Sequence, residues 1–88
     1  MSASAKYQIQ IKSSAERDMN SLPRTVFTKI SNAILSLEST PRPVGCKKLR
    51  GRVEYRIRVG NYRVLYIIND LIHTVEVVAV GDRKEVYR

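Results

Sequence analysis

The chain has little of several things that enzymes commonly use. Its 88 residues include one cysteine, one histidine, one phenylalanine and no tryptophan. A single cysteine, Cys46, excludes an internal disulfide and makes a cytoplasmic setting the expectation. Its neighbours Lys47 and Lys48 favour a thiolate only weakly, so an inert Cys46 is expected. His73 and Cys46 have no partners at zinc-ligand spacing. The scattered acids Glu54, Asp70, Glu76, Asp82 and Glu85 show no paired-carboxylate pattern of the kind a two-metal nuclease uses. No glycine-rich phosphate loop precedes a helix. No apolar run reaches transmembrane length, and the N-terminus lacks the apolar stretch of a signal peptide. The expectation is therefore one domain, 1–88, without cofactor, metal or membrane association.

Negative charge is also scarce where positive charge is dense. The formal net charge is +8. Residues 42–63 hold eight bases, Arg42, Lys47, Lys48, Arg50, Arg52, Arg56, Arg58 and Arg63, against the single acid Glu54. The flanking stretches are nearly balanced. A basic segment of this kind points to a polyanion-binding surface. Charge alone does not choose between nucleic acid, an acidic protein and an anionic membrane.

Three of those arginines fall on one face of a predicted hairpin. In Tyr55-Arg56-Ile57-Arg58-Val59-Gly60-Asn61-Tyr62-Arg63-Val64-Leu65-Tyr66, the Gly60-Asn61 pair signals a two-residue turn. Val59 then pairs with Tyr62, Arg58 faces Arg63 and Arg56 faces Leu65. Side chains alternate along strands, so Tyr55, Ile57, Val59, Tyr62, Val64 and Tyr66 gather on the other, core-facing side. Like charges directly opposite one another are destabilising. A sequence that keeps them points to an anion, most simply phosphate, which the planar guanidinium grips well. On residue types alone, a merely solvated basic face is an equal alternative.

The remaining chain reads as an α+β domain in the order βααβββ. Tyr7–Ile11 alternates as a strand. Ser13-Ser14-Ala15-Glu16 has the pattern of a capping box, and Ala15, Met19 and Leu22 give the helix it starts an apolar stripe. Pro23 breaks that helix and opens a second. Val26, Phe27, Ile30, Ala33, Ile34 and Leu37 recur at helical spacing, and Pro41 puts the end near Ser39. A basic loop from Pro41 to Val53 leads to strands at Tyr55–Val59 and Tyr62–Ile68. Asn69-Asp70 predicts a second tight turn, followed by a strand from Leu71 to Val80. That register puts Glu76 opposite Arg63, and sets Leu71, His73, Val75, Val77 and Ala79 on the core side. His73, opposite Tyr66, then reads as a satisfied core histidine. The expected sheet is small and antiparallel, with the helical hairpin on one face.

Several blocks occur in order: Lys48-Leu49-Arg50-Gly51, Tyr55-Arg56-Ile57-Arg58-Val59, Tyr62-Arg63-Val64-Leu65-Tyr66, and Val78-Ala79-Val80-Gly81-Asp82-Arg83 with Glu85-Val86-Tyr87. Together they resemble the RelE/ParE toxin superfamily, closest to its RelE branch, over essentially the whole chain. The resemblance implies the toxin of a type II toxin–antitoxin system that cuts mRNA in the ribosomal A site. The ribose 2′-OH attacks the adjacent phosphate without metal. It implies catalytic roles for Arg56, Arg58, Arg63, Arg83 and Tyr87; Arg83 stabilises charge or protonates the leaving oxygen, and Tyr87 stacks on or orients the substrate. Arg83 and Tyr87 are promoted by the resemblance alone. Lys47, Lys48, Arg50 and Arg52 are candidate contacts to RNA. The implied partners are a small RelB-like antitoxin, the ribosome and mRNA. RelE-like enzymes often carry lysine where Arg56 and Arg58 stand here, and an arginine is a poor general base. The alternative is a ParE-like toxin that inhibits DNA gyrase and has no nuclease site.

Overall fold

The computed structural model describes residues 6–82; Arg83 and Tyr87 lie outside the described residues. The order is β1 (Gln8–Ile11), α1 (Ser13–Asn20), α2 (Arg24–Ser36), β2 (Lys47–Lys48), β3 (Tyr55–Val59), β4 (Tyr62–Asn69) and β5 (Thr74–Asp82). The strands form one sheet in the order β1-β5-β4-β3-β2. The α+β class is as expected, but the sheet differs in two ways. β1 pairs with β5 in parallel, Gln8 with Thr74 through Ile11 with Val77, so the sheet is mixed. Lys47 and Lys48, expected in a loop, form a short edge strand against Arg56 and Tyr55. Two lysines carry no alternating pattern, so only the neighbouring strand could reveal them.

The helices cover one face. Ala15 and Met19 of α1, and Ile30, Ile34 and the following Leu37 of α2, are buried against Ile57, Val64, Tyr66, Val75, Val77 and Val80. Tyr55, Val59, Tyr62, Leu22, Val26 and Ala33 pack at the margin of this core. Phe27, expected in the stripe, is exposed. Pro23 caps α2 as expected, its carbonyl accepting from Phe27 N–H at 2.9 Å. The capping box does not form. Lys12 is the N-cap of α1 and supplies no side-chain bond, while the Ser14 hydroxyl donates instead to the Val78 carbonyl. The chain is already fixed at Lys12, whose N–H donates to the Val77 carbonyl at 2.9 Å, and the helix begins directly after it. α2 ends at Ser36, and Leu37 and Glu38 continue as a turn.

The β3–β4 hairpin has the expected register: Val59 with Tyr62, Arg58 with Arg63, Arg56 with Leu65. Gly60 has φ +62° and Asn61 is not in the left-handed region, the pattern of a type II′ turn. The next hairpin differs. Its loop is Asp70–His73, because the Asn69 carboxamide oxygen accepts from the N–H groups of both Leu71 and Ile72, at 3.0 and 3.2 Å. Such an Asx turn widens the loop. The left-handed residue is His73, at φ +54°. The wider loop slides β5, so Arg63 faces Gly81 and Glu76 faces Ile67; the expected Glu76–Arg63 pairing does not exist. A bulge between Leu65 and Tyr66 then shifts the register once more. An added residue flips every side chain beyond it to the other face. Val80 therefore enters the core, and Ala79, expected there, does not.

Candidate functional site

The hairpin delivers the arginines to the face opposite the helices, in a graded environment. Arg58 is exposed, Arg63 half-buried, and Arg56 only 7% exposed. Arg56 faces Leu65, which is 2% exposed yet outside the core cluster, so this second face is covered around that pair. The Arg56 Nε is buried and has no hydrogen-bond partner. A buried, unpaired guanidinium N–H costs about 1–3 kcal/mol.

Two hollows meet at Arg58. One, about 250 Å³, lies over the turn and is lined by Arg58, Gly60, Asn61 and Arg63. The other, about 480 Å³, runs between the 43–45 loop and the sheet edge, with Lys47, Arg56 and Arg58 on one side and Ala33 and Ser36 of α2 beyond. Lys47 reaches this groove because β2 sets it opposite Arg56. The structure thus brings Arg56, Arg58, Arg63 and Lys47 together. Both hollows are open, cationic and of a size to admit phosphate groups.

The other candidates of the basic loop are placed differently. Arg50 is exposed in a turn. Arg52 has an anionic partner of its own, its Nε donating to Glu54 at 3.1 Å, and this contact holds the Glu54 carboxyl below its ordinary value. The Lys48 ammonium donates to the Arg52 carbonyl at 2.6 Å. Both contacts shape the loop, and the Glu54 carboxylate offsets the charge of Arg52.

A second cluster, not anticipated from sequence, sits at the far end of β3. Arg42 grips Asp70 with both terminal nitrogens, at 3.2 and 2.9 Å, and its Nε donates to the Tyr55 hydroxyl at 3.2 Å. The Tyr7 hydroxyl donates to the same carboxylate at 2.6 Å. These bonds hold the Asp70 carboxyl below its usual range, and the carboxylate in turn raises the Tyr7 phenol. Tyr66, fully buried, donates to the Pro41 carbonyl at 2.8 Å, and burial raises its phenol. Pro41 and Arg42 are thereby pinned, and with them the start of the basic loop. His73 is not a core residue. Its ring stacks on Tyr7 with centroids 4.6 Å apart, and its Nδ1 is buried without a partner. Arg42 and Asp70 are 28 residues apart, and no local pattern links them. Among the described residues, no three His, Cys, Asp or Glu side chains gather as a metal-ligand set.

The mixed sheet with a helical pair on one face is the fold of solved RelE toxins. The toxin in the Mycobacterium tuberculosis RelBE2 toxin–antitoxin complex superposes with a TM-score of 0.80 at 28% identity, over 89% of this chain and 99% of that one. The isolated Escherichia coli RelE toxin gives 0.75 at 26% identity, over 86% and 83%. In sequence, Toxin RelE of M. tuberculosis is 33% identical over 91 positions, covering 100% of this chain and 93% of the relative. Toxin RelG of the same organism is 34% identical over 85 positions, covering 93% and 97%. A family model described as the ParE toxin of the type II toxin–antitoxin system parDE matches residues 9–87. The chain belongs to this family of type II toxins, and within it is RelE-like.

Proposed function

We propose that this toxin is a ribosome-dependent mRNA endonuclease, acting in the cytoplasm and restrained by a RelB-like antitoxin. The observation that carries the reading is the direct pairing of Arg58 with Arg63 over an open hollow, in a RelE-like chain. The ribose 2′-OH attacks the adjacent phosphorus, the bond to the 5′ oxygen breaks, and a 2′,3′-cyclic phosphate and a 5′-hydroxyl are left. Arg58 and Arg63 bind the non-bridging oxygens and offset the charge that builds up in the five-coordinate transition state. Arg56 supplies its unpartnered Nε–H from the side of the second groove. A guanidinium stays protonated at any relevant pH, so none of the three takes the 2′-OH proton. That task falls to Tyr87 or to ribosomal RNA. Arg83 stabilises or protonates the leaving oxygen. Lys47, Lys48, Arg50 and Arg52 lie along the path of the RNA backbone. The step as proposed uses no metal.

The solved RelE relatives crystallised with RelB antitoxins, among them that of Pyrococcus horikoshii at a TM-score of 0.80 and 25% identity, support the partner. An acidic antitoxin segment across the cationic face would compete with RNA for the same charges.

Primer extension on translated mRNA after induction tests the activity. The expected outcome is cleavage within codons of the message; growth arrest with intact mRNA overturns it. Arg83→Ala should cost about 3 kcal/mol of transition-state stabilisation, the scale of one well-placed donor. An unchanged cleavage rate removes Arg83 from the site. The family model's ParE description favours a second reading, inhibition of DNA gyrase without nucleolysis. It predicts accumulated gyrase–DNA cleavage complexes and unharmed mRNA.

A further inference from the structure

We propose that Asp18, assisted by Ser14, is a positioning residue for the phosphate site: it clamps the end of β5 against which Arg63 is paired. The catalytic part of this proposal rests on the nuclease reading above; the clamp itself does not.

The argument begins with an edge. β1 covers β5 only as far as Val77, where Ile11 is its last partner. The chain then leaves the sheet and turns into α1. Beyond Val77, that side of β5 has no strand beside it among the described residues. Two of the backbone groups on this bare edge are met by α1. The Ser14 hydroxyl donates to the Val78 carbonyl at 3.0 Å, and the Asp18 Oδ2 accepts from the Val80 N–H at 3.1 Å. Residues four apart on a helix share a face, about 6 Å apart along the axis. Residues two apart on a strand are spaced by about 6.6 Å. The helix therefore substitutes for the missing strand, one turn matching two strand residues. A carboxylate accepting from a backbone amide makes the stronger kind of hydrogen bond.

The location gives the clamp its consequence. Val78 falls at the bulge, where the register changes between Leu65 with Ala79 and Tyr66 with Val77. Past it, β5 is joined to β4 by four residue pairs, ending with Arg63 to Gly81 and Tyr62 to Asp82. A groove of about 570 Å³ lies open beside this segment, lined by Asp18, Tyr62, Gly81 and Asp82 among others. Val80 is held by the core under its side chain and by the Asp18 bond at its N–H, while Gly81 and Asp82 beyond it border the open groove. Loss of the Asp18 bond loosens the strand at Val80, next to the Gly81 backbone that pairs with Arg63. A displacement of about 1 Å at a reacting group is enough to cost on the order of 100-fold in rate.

The test compares Asp18→Ala, Asp18→Asn and Ser14→Ala in the full chain. The first readout is cleavage of mRNA on programmed ribosomes. Asp18→Ala is expected to lower kcat by about 10- to 100-fold with KM within about 2-fold of wild type. Asp18→Asn retains an acceptor oxygen and is expected to restore kcat to within about 3-fold, and Ser14→Ala to fall between. A general loss of folded protein would also lower the apparent kcat at unchanged KM, so kcat is referred to the folded fraction read from the NMR spectrum of each variant. The second readout is independent of catalysis: amide hydrogen exchange at Val80 and the NMR resonance of the Arg63 Nε–H. Both are expected to change in Asp18→Ala and to hold in Asp18→Asn. Wild-type kcat in Asp18→Ala, parallel losses in kcat and KM, or an Asp18→Asn chain as impaired as Asp18→Ala each overturn the positioning role. If the unmodified chain cuts no mRNA, the nuclease reading fails. The clamp then stands or falls on Val80 and Arg63 alone, and an unprotected Val80 amide in the unmodified chain refutes it.

Discussion

Arg42 and Arg56 lie near one another in sequence and in opposite circumstances. Arg42 is exposed and fully engaged: two bonds to Asp70, one to Tyr55, and its guanidinium carbon 5.1 Å from the Tyr55 ring centroid. Arg56 is buried and its Nε has no partner. Across the strand pair, Arg58 and Arg63 occupy facing positions where sheet energetics disfavour like charges. The first arginine stitches a loop to a turn. The buried Nε of Arg56 is held in place by the fold at a cost to it. Local conflicts of this kind are what a chain tends to keep at functional sites.

The comparison is broken most directly by exchanging the two classes. Arg58→Ala is expected to lower mRNA cleavage by about 100-fold or more, while shifting the unfolding free energy by less than about 0.5 kcal/mol. Arg42→Ala should do the reverse, leaving cleavage near wild type and lowering the thermal midpoint more than Arg58→Ala does. Parallel kinetics and melting curves for the two variants would check both halves. Equal effects on activity would erase the distinction.

Arg56 sharpens it further. Arg56→Met keeps a long side chain in the buried position and removes the unpaired donor. Stability should rise by about 1 kcal/mol in urea titration, and RNA affinity should fall by about 10-fold, the worth of one charge-assisted bond. A destabilised Met variant would show that the guanidinium supports the fold after all.

The smallest effect concerns acid. The Arg42 hydrogen bonds hold the Asp70 carboxyl below its ordinary value of 3.8, and the Arg52 bond holds Glu54 below 4.5. A carboxyl depressed in the folded state binds protons more readily when unfolded. Its stabilisation is present above the unfolded value and is lost as pH falls through the folded one. Urea midpoints should therefore be flat from pH 7 to about 5 and decline below about pH 4.5. Asp70→Asn should shallow that decline slightly, since both partners are exposed and screened by solvent.

Much of this was legible in the chain. The β3–β4 hairpin is local: a turn dipeptide, period-two alternation and a two-residue loop fix its register, and with it the facing arginines. The helical stripes and Pro23 are equally local. The second hairpin was misread because Asn69 uses its side chain to cap a longer loop, an option no alternation pattern displays. The bulge compounded the error by turning Ala79 outward and Val80 inward. The capping box expected at Ser13–Glu16 does not form because the helix starts one residue earlier, after Lys12, whose N–H is tied to Val77 across the sheet.

By itself, the sequence determined both helices, the four longer strands, the fold class, the hairpin register and the residues that face each other at the Gly60-Asn61 turn. Each of these depends on contacts within a few residues, where spacing dictates geometry. Only the tertiary structure decided the parallel place of β1, the short edge strand β2, the slide of β5, the burial of Arg56 and the pairing of Arg42 with Asp70. Those depend on which distant groups meet at hydrogen-bonding distance, and a loop two residues longer or one bulged residue changes every such meeting.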